Sequence, residues 1–379
     1  MQKKKRIAVN ARFLLTDKLE GIGWFTWEVT RRLVERHPEW EFLFLFDRPN
    51  DPAFIPGPNV KPIVVRPPAR HPILWGLWFE FSLPFVFQRY RPDVFFSPDG
   101  YCSLRSSVPT LMVTHDIAHV HFPDQIPLSA RWFYDHYVPK YLKRAERILT
   151  VSAFSKRDIM AHYPVPASKI VITCNGCRSA FKPLSDQEKQ AVKDQYAQGC
   201  DYFFYIGAVH PRKNVARLIA AFDLFKQRTG AKVKLLIGGR LGWLTATIEK
   251  ALGAATHKED IYQLGYLSDE ELPKLTGAAL ALTYVTLFEG FGVPLLEAMH
   301  CDTPIITSDA ASLPEVAGHA ALLTDPNNTN AIASSMEQLY SDPALRQKLI
   351  EAGRQQRQRF SWEAATDTAE GVLIELLNM

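Results

Sequence analysis

The chain has 379 residues, which exceeds one typical domain and predicts two, each long enough to bury an apolar core. Lys and Arg number 44 against 40 Asp and Glu, and this near balance argues against a dedicated nucleic-acid-binding protein. The five cysteines are few and odd in number, which argues against a disulfide framework and favours a reducing compartment. The CxxC spacing of Cys174 and Cys177 has no second pair, so we interpret both as packed rather than metal-binding residues.

The start of the chain, QKKKR, resembles the basic end of a signal peptide, but Asn10 and Arg12 interrupt the next stretch of residues, and we expect a cytoplasmic protein. The most apolar segment, ILWGLWFEFSLPFVF, contains Glu80 and Pro84 and is too short to span a bilayer. Its aromatic residues, like the later run RWFYDHYVPKYLKRAER, suit either an N-terminal core or peripheral contact with the inner face of a membrane or with a lipid-linked substrate.

Short apolar runs alternate with amphipathic helical patterns along the chain, as in parallel sheets that helices cover on both faces. The runs that predict strands are RIAVN, EFLFLF, KPIVV, DVFF, PTLMVT, RILTV and KIVIT, then YFFYIGA, AKVKLLIGG, IYQLG, ALALTYV and PIIT. We therefore predict an α/β protein with two doubly wound domains that face a cleft, residues 1–180 and 181–355, followed by a helical tail over 356–379.

In the second domain, the segment TLFEGFG follows the strand run ALALTYV and precedes the helical run VPLLEAMHC. Ligands of open α/β sheets bind at the carboxyl ends of strands, and a helix start behind Gly290 and Gly292 suits a phosphate or diphosphate. We interpret Glu289 and Glu297 as acceptors for sugar hydroxyls. The alternative is that Glu289 only supplies a favourable N-terminal charge and that Glu297 lies on a solvated helix face.

Arg212 and Lys213 follow the run YFFYIGA and precede an amphipathic helix, so they predict a diphosphate clamp, with plain surface charge as the alternative. In the first domain, we expect Gly21 and Gly23 in a flexible loop ahead of a helix, where the backbone could approach phosphate or sugar. This GxG pair lacks the third glycine of a nicotinamide-dinucleotide fingerprint, which argues against a dehydrogenase.

The segment LMVTHDIAHVHFP places His115 and Asp116 at the carboxyl end of a strand, where a histidine could hydrogen-bond a sugar hydroxyl or the acceptor. His119 and His121 raise the alternative of a metal site. Because acidic or cysteine partners are missing nearby in the sequence, we interpret both as structural or acceptor-side residues and predict no metal.

Motifs spread over nearly the whole chain resemble those of the group 1 family of retaining, nucleotide-sugar-dependent glycosyltransferases. They are GIG, THD, TVSAFSKRDI, NGC, YIGAVHPRKNVARLIAAF, LLIGGRLGW, LGYLSDEELPKL, FEGFGVPLLEAM, TPIITSDAASLPEVAG and FSWE. The resemblance implies the GT-B architecture, in which the C-terminal Rossmann-like domain mainly holds the donor, the N-terminal one holds the acceptor, and the last helix returns toward the N-terminal domain. Within the family, THDIAHVHFP and SLPEVAG look most like bacterial mannosyltransferases of O-antigen, capsule or exopolysaccharide assembly.

The resemblance also implies roles for residues that match the family's motifs. Glu289 and Glu297 match the two acids of the E-x7-E signature, the first contacting donor-sugar hydroxyls and the second the ribose, while His115 matches the histidine near the reacting carbon. Arg212 and Lys213 match the basic pair at the diphosphate, and with His115 and Glu289 they are the four residues predicted to be catalytic. The residues predicted to bind the donor are Gly21 and Gly23 in the loop beside the diphosphate, Phe291, Gly292 and Val293 through backbone amides, Tyr266 and Leu267 at the base, and Glu297. Two departures, Cys177 where valine is usual and the bulky WFTW after the glycines, are expected to touch none of the charged residues.

These roles imply transfer of a hexose, with mannose from GDP-mannose favoured, to a glycan or lipid-linked acceptor in cell-surface polysaccharide biosynthesis. No cofactor or metal is expected, because the chain lacks a DxD pattern and its positive groups would stabilise the leaving diphosphate. The family's working mechanism is attack on the face that the diphosphate leaves. The alternatives are a transferase that uses UDP-glucose or another UDP-sugar, a sugar-nucleotide epimerase or phosphorylase of the same fold, a nucleotide-binding module, and a Rossmann dehydrogenase.

Overall fold

The structure is a computed structural model that describes residues 4–16, 19–240 and 246–379. The chain forms two compact units: unit 1 consists of Met1–Asn175 and Ser361–Met379, and unit 2 of Gly176–Phe360. The limits expected from the sequence, 180 and 355, both lie inside unit 2. The first residues of QKKKR and the end of the motif LLIGGRLGW, at 241–243, lie outside the described residues.

Unit 1 is built on a parallel sheet. Its strands are β1 (Arg6–Asn10), β2 (Glu41–Phe46), β3 (Val60–Val64), β4 (Val94–Ser97), β5 (Thr110–Val113), β6 (Arg147–Thr150) and β7 (Ile170–Ile172). Over the described residues the spatial order is β3-β2-β1-β4-β5-β6-β7, with Ile7 of β1 opposite Phe42 of β2 and Val94 of β4. Because both sheet faces are covered, the central strands are continuous apolar runs, and the side chains from Phe42 to Phe46 are almost fully buried.

The helices of unit 1 begin with α1 (Gly21–Arg36), α2 (Pro72–Leu77), α3 (Leu83–Tyr90), α4 (Ala118–His121), α5 (Leu128–Arg144) and α6 (Ala153–His162). A π-helical segment, Trp78–Ser82, joins α2 to α3. Among residues 4–16, 19–240 and 246–379, we find no helix with the length and apolar content needed to cross a bilayer.

Gly21 and Gly23 lie in the first turn of α1 and not in a loop ahead of it, so that part of the prediction is wrong. A Cβ atom on Gly23 would lie 2.7 Å from the carbonyl oxygen of Phe13 and 2.8 Å from Cδ1 of Leu19. The missing side chain therefore allows the segment before the helix to pack on its first turn, and this contact explains the glycine without a ligand.

Unit 2 contains a second parallel sheet. Its strands are β8 (Tyr202–Ile206), β9 (Lys234–Gly238), β10 (Ile261–Gly265), β11 (Ala281–Tyr284), β12 (Ile305–Ser308) and β13 (Ala321–Thr324), in the order β10-β9-β8-β11-β12-β13. The helices are α7 (Asp186–Ala197), α8 (Val215–Thr229), α9 (Ala246–Ala254), α10 (Glu271–Ala278), α11 (Val293–His300), α12 (Leu313–Ala317), α13 (Thr329–Ser341) and α14 (Pro343–Gln356). The strand order reverses between β8 and β11, and ligands of open α/β sheets bind at the carboxyl ends of strands beside such a reversal.

The last helix, α15 (Trp362–Leu377), packs in unit 1 although its sequence follows unit 2. Trp362 lies edge-on to Phe25 of α1, with ring centroids 6.3 Å apart. Arg36 of α1 forms an ion pair with Asp367 at 2.7 Å, and Nζ of Lys5 donates to the carbonyl of Leu377 at 2.7 Å. The two ends of the chain therefore share one core.

Candidate active site

The turn after β8 carries Arg212 and Lys213 to the carboxyl edge of the unit 2 sheet. They lie in a 3-10 turn, Pro211–Lys213, which ends at Asn214 in a left-handed conformation (φ 62°). Nδ2 of Asn214 donates to the carbonyl of Val285 at 2.9 Å and to that of Pro326 at 2.7 Å. These bonds link the turn to the segments that follow β11 and β13.

Lys213, which is partly buried, forms an ion pair with the buried Glu289 beside the end of β11. Nζ of Lys213 donates to Oε1 of Glu289 at 2.5 Å and to the hydroxyl of Tyr284 at 3.1 Å, and that hydroxyl donates to the same Oε1 at 2.9 Å. Nη1 of Arg212 lies 3.5 Å from Oε2 of Glu289 and donates to the carbonyl of Phe288 at 2.5 Å. The structure thus brings together three of the four residues predicted to be catalytic.

The charge on Glu289 is maintained by its neighbours. Burial opposes ionisation of its side chain, but Lys213 and Arg212 together hold the pKa of Glu289 below its ordinary value. Burial, with Glu289 beside it, raises the pKa of Tyr284, so the tyrosine stays a neutral donor. Oε1 already accepts from Lys213 and Tyr284, whereas the 3.5 Å contact of Oε2 leaves that oxygen with more capacity to accept a hydroxyl.

The loop between β11 and α11 has a backbone that only glycine adopts easily. Gly292 has φ 94°, and a Cβ atom there would lie 2.6 Å from Cδ2 of Leu313. Ser312 Oγ donates to the carbonyl of Glu289 at 2.8 Å, and Phe291 packs edge-on to Phe360 with centroids 5.3 Å apart. At the start of α11, Pro294 has no N–H and the amide of Leu295 donates to the carbonyl of Gly292 at 3.0 Å, so the amide of Val293 is the one that suits an anion.

Glu297 is buried in α11, so the alternative of a solvated helix face is wrong. Nη2 of Arg178 donates to Oε1 of Glu297 at 3.3 Å, while Nη1 of Arg178 pairs with Asp269 at 2.5 Å. Burial raises the pKa of Glu297, and Arg178 offsets this effect only in part. Burial raises the pKa of Cys177, and the charge of Glu297 adds to this effect.

The two residues expected at the base differ in exposure. Tyr266 is largely exposed after β10, whereas Leu267 is buried against Gly238 at the end of β9, where an added Cβ would lie 2.6 Å from Cδ1 of the leucine. The ring of Tyr266 is therefore accessible, and the packing of Leu267 against Gly238 holds the adjacent backbone in position.

In unit 1, His115 follows the carboxyl end of β5, where the sequence places it. Its Nε2 lies 2.8 Å from the carbonyl oxygen of Pro98, and its ring packs edge-on to Phe25 with centroids 5.2 Å apart. Burial lowers the pKa of His115, and the carbonyl opposes this only in part. A carbonyl can only accept, so the neutral ring has its proton on Nε2 and its lone pair on Nδ1. The predicted residues Gly21, Gly23 and His115 thus lie in unit 1, and the others in unit 2.

The sequence analysis missed Tyr284, Asn214 and Arg178, which fix the charged side chains of unit 2. Asn214 directly follows the turn that carries Lys213, and Tyr284 is the last residue of the strand that precedes Glu289. Their positions at strand and turn ends could therefore have indicated that they belong to the site. Arg178 follows the NGC motif and lies far from Glu297 in the sequence. Only the folded chain brings these two residues into contact.

Comparisons with known proteins decide the family. The sequence model of the family "Glycosyl transferases group 1" matches residues 186–356, and the sequence model of the family "Glycosyltransferase Family 4" matches residues 19–180. The chain is 35% identical to O-antigen chain mannosyltransferase B of Escherichia coli over 282 residues, which cover 73% of each protein. The chain belongs to the group 1 glycosyltransferases. A second relative, the serotype-specific mannosyltransferase WbdA of Escherichia coli, is 24% identical over 61% of this chain and 29% of its own length.

A solved structure shares the architecture of this glycosyltransferase. Sucrose-phosphate synthase from Thermosynechococcus elongatus superposes with a TM-score of 0.81 at 18% identity, covering 99% of this chain and 100% of that one. The two Rossmann-like units, each with a parallel sheet, are those of the GT-B fold, and the prediction of this fold is confirmed.

Proposed function

We propose that this glycosyltransferase moves a mannosyl group from GDP-mannose to a glycan or lipid-linked acceptor in the assembly of a cell-surface polysaccharide. The observation that carries the chemistry is the contact of Lys213 and Arg212 with Glu289 at the strand reversal of unit 2. The choice of mannose is supported by the name of the relative that is 35% identical. A UDP-sugar donor is the main alternative.

The mechanism follows from the charge that develops during transfer. Breaking the anomeric bond leaves a diphosphate anion, which Arg212, Lys213 and the amide of Val293 at the start of α11 would stabilise. Glu289 would keep Lys213 in place through Oε1 and accept a donor-sugar hydroxyl through Oε2, which makes only the longer contact with Arg212. Glu297 would accept the ribose hydroxyls. The leaving phosphate would take the acceptor's proton on the same face, so the product would retain the donor's anomeric configuration, and no metal takes part in this step.

The purified protein, given a glycan acceptor together with GDP-mannose or one of a panel of UDP-sugars, tests this proposal. We expect nucleotide release with GDP-mannose, and a product whose anomeric configuration, read by NMR, matches the donor. Transfer should persist in EDTA. Release of the nucleotide without any transferred sugar, or a strong preference for a UDP-sugar, would contradict the proposed reaction or donor.

Lys213→Met should lower kcat by about 100-fold or more, since loss of one transition-state contact costs about 3 kcal/mol. Lys232→Met is the matched control, because Lys232 is an exposed lysine just before β9. Wild-type turnover in Lys213→Met would remove the lysine from the diphosphate site.

The proposed function includes peripheral contact of unit 1 with an anionic membrane. Exposed apolar side chains recur along the helix that runs from α2 to α3, and two more lie on α5, which packs against α2 through Trp75 and Phe133. They are Ile73, Leu77, Phe81, Phe85, Leu128 and Trp132. Exposed basic residues accompany them: Arg89, Arg105, Lys140 and Lys143, with the Arg105 guanidinium 4.1 Å from the centre of the Phe81 ring. An apolar surface with basic neighbours suits lipids with negative headgroups.

Flotation with vesicles of phosphatidylglycerol and phosphatidylcholine tests this contact. We expect the wild-type chain to bind the anionic vesicles, and the double variant Phe85→Ser, Trp132→Ser to lose most of that binding. Ile374→Ser changes an exposed apolar residue of α15 and should bind as the wild type does. Equal binding by the double variant would exclude this surface.

A further inference from the structure

A second cluster of chemically active side chains lies in unit 1, apart from the residues assigned to transfer. His121 ends α4, and Asp158 and His162 lie one turn apart at the end of α6. Nε2 of His121 is 2.9 Å from each carboxylate oxygen of Asp158, and Nδ1 of His162 is 3.2 Å from Oδ1. We call these three residues the His–Asp–His cluster.

We propose that the His–Asp–His cluster binds a divalent transition-metal ion, with Zn²⁺ as its best match. One ligand atom from each side chain lies within 4.8 Å of the others. Bonds of about 2.0–2.2 Å to Zn²⁺ place neighbouring ligand atoms of a tetrahedral site roughly 3.3–3.6 Å apart. The two separations between a histidine nitrogen and Asp158, 2.9 and 3.2 Å, therefore need to lengthen by less than an ångström, and the two histidine nitrogens already lie within 4.8 Å of each other.

The charges at the cluster favour a cation. Asp158 is buried, and within the part of the chain that the structure describes its ion pairs are both with histidines. A divalent ion would balance the charge of this buried carboxylate, and imidazole with carboxylate is a ligand set that Zn²⁺ accepts. Three protein ligands leave one position of a tetrahedral ion for water.

Binding would replace existing hydrogen bonds, and the first is the one between Nε2 of His121 and the carboxylate of Asp158. Nδ1 of His162 also lies 2.9 Å from the main-chain carbonyl of Asp158, and that hydrogen bond would be given up for the metal bond. The ion would then join α4 to α6. Because α4 follows His115 within the same connection from β5, the metal would hold that connection in place and would not take part in the transfer itself.

From the sequence, we predicted no metal because His119 and His121 have no acidic or cysteine partner close to them along the chain. The structure separates these two histidines. His119 Nε2 contacts the hydroxyl of Tyr163 at 3.0 Å, and His121 turns to Asp158, which lies 37 positions further along the chain. A metal set drawn from two helices is therefore not visible as a sequence motif.

Titration of the untagged, EDTA-treated and dialysed chain with Zn²⁺ in a calorimeter, and with Co²⁺ by visible absorption, tests the site. We expect one ion per chain and a melting midpoint that rises with the Zn²⁺ concentration. His121→Gln and Asp158→Asn should each weaken binding by roughly 100-fold or more, since even outer partners of metal ligands contribute 10- to 100-fold. His119→Gln is the matched control and should bind as the wild type does.

The site is excluded if the wild-type chain takes up no stoichiometric Zn²⁺ or if His119→Gln loses as much affinity as His121→Gln. Circular dichroism of each variant in EDTA separates loss of the metal site from loss of fold. The metal-free chain should keep its transfer rate, so this inference and the proposed transferase function fail independently.

Discussion

At the residue scale, the two acids of the second unit differ in their electrostatics. Two cations outweigh burial at Glu289 and lower its pKa, whereas a single arginine shared with Asp269 does not outweigh burial at Glu297. Both acids come from one sequence signature. The surroundings in the fold nevertheless favour the ionised form of Glu289 and disfavour that of Glu297. A hydroxyl donor bound to Glu297 would stabilise its carboxylate.

The raised pKa of Glu297 predicts a specific dependence of stability on pH. The folded state binds the proton more tightly than the unfolded state, so the stability from this group is complete below the unfolded pKa of about 4.3 and is lost as pH rises through the folded pKa. Glu297→Gln cannot titrate and should escape that loss, with a melting midpoint at pH 7 equal to or above that of the wild type. Arg178 keeps Asp269 as a partner in this variant.

The same variant tests the ribose role. Calorimetry with GDP and UDP should show binding weakened by roughly tenfold, or about 1.4 kcal/mol, because an amide is a poorer acceptor than a carboxylate. Unchanged affinity for both nucleotides would remove Glu297 from the ribose site while leaving the pH prediction intact.

At the element scale, the loop from β11 into α11 combines a left-handed glycine with a close neighbour. Gly292 has a backbone that disfavours L side chains, and Leu313 of α12 occupies the space where a Cβ would lie. Because Gly292 has no side chain, the start of α11 can pack closely against Leu313 of α12. Any residue at this position other than glycine would move the Val293 amide that is proposed to face the diphosphate.

Gly292→Ala should lower the free energy of unfolding of unit 2 by about 2 kcal/mol, from the strained backbone and the displaced leucine. Urea unfolding curves would measure it. Gly253→Ala is a matched helical control in the same unit, because a Cβ there meets no atom within 4 Å. The Gly253→Ala variant should be more stable than the wild-type chain by about 0.5–1 kcal/mol, because alanine favours a helix more than glycine does. If Gly292→Ala lowers the free energy of unfolding by less than about 0.5 kcal/mol, α12 can shift to accommodate the added methyl group at little cost.

At the scale of the whole molecule, unit 2 is one continuous stretch of chain inserted between the two parts of unit 1. The apolar side of α15, including Trp362, Leu373 and Leu376, belongs to the same core as Ile7 and Phe25. Unit 2 is formed by residues 176–360 alone. The two units should therefore differ in their ability to fold when separated.

A fragment of residues 176–360 should be soluble, melt cooperatively and bind a nucleoside diphosphate, because its core is formed by continuous chain. A fragment of residues 1–175 should aggregate, since it lacks α15 and exposes the surface around Phe25. Co-expression with residues 361–379 should restore its solubility. A soluble and cooperatively melting 1–175 fragment would show that α15 is dispensable for the first core.

The sequence predicted the sheets because parallel strands buried on both faces appear as short, continuous apolar runs such as EFLFLF. It also placed Arg212, Lys213 and Glu289 at strand ends, which is why their proximity could be anticipated. The partners that set their chemistry could not be found in this way. Arg178 reaches Glu297 across 119 positions, and the packing of Phe13 on Gly23 depends on a bend ahead of α1.

The side-chain amide of Asn214 has a consequence for attempts to change donor preference. One NH2 group bridges two carbonyls, so the segments after β8, β11 and β13 are coupled at a single buried point. A chimera that borrows any one of these segments from a relative should remain well formed only while this asparagine is kept. Aspartate at position 214 would place a negative oxygen against two carbonyl oxygens and drive the three segments apart.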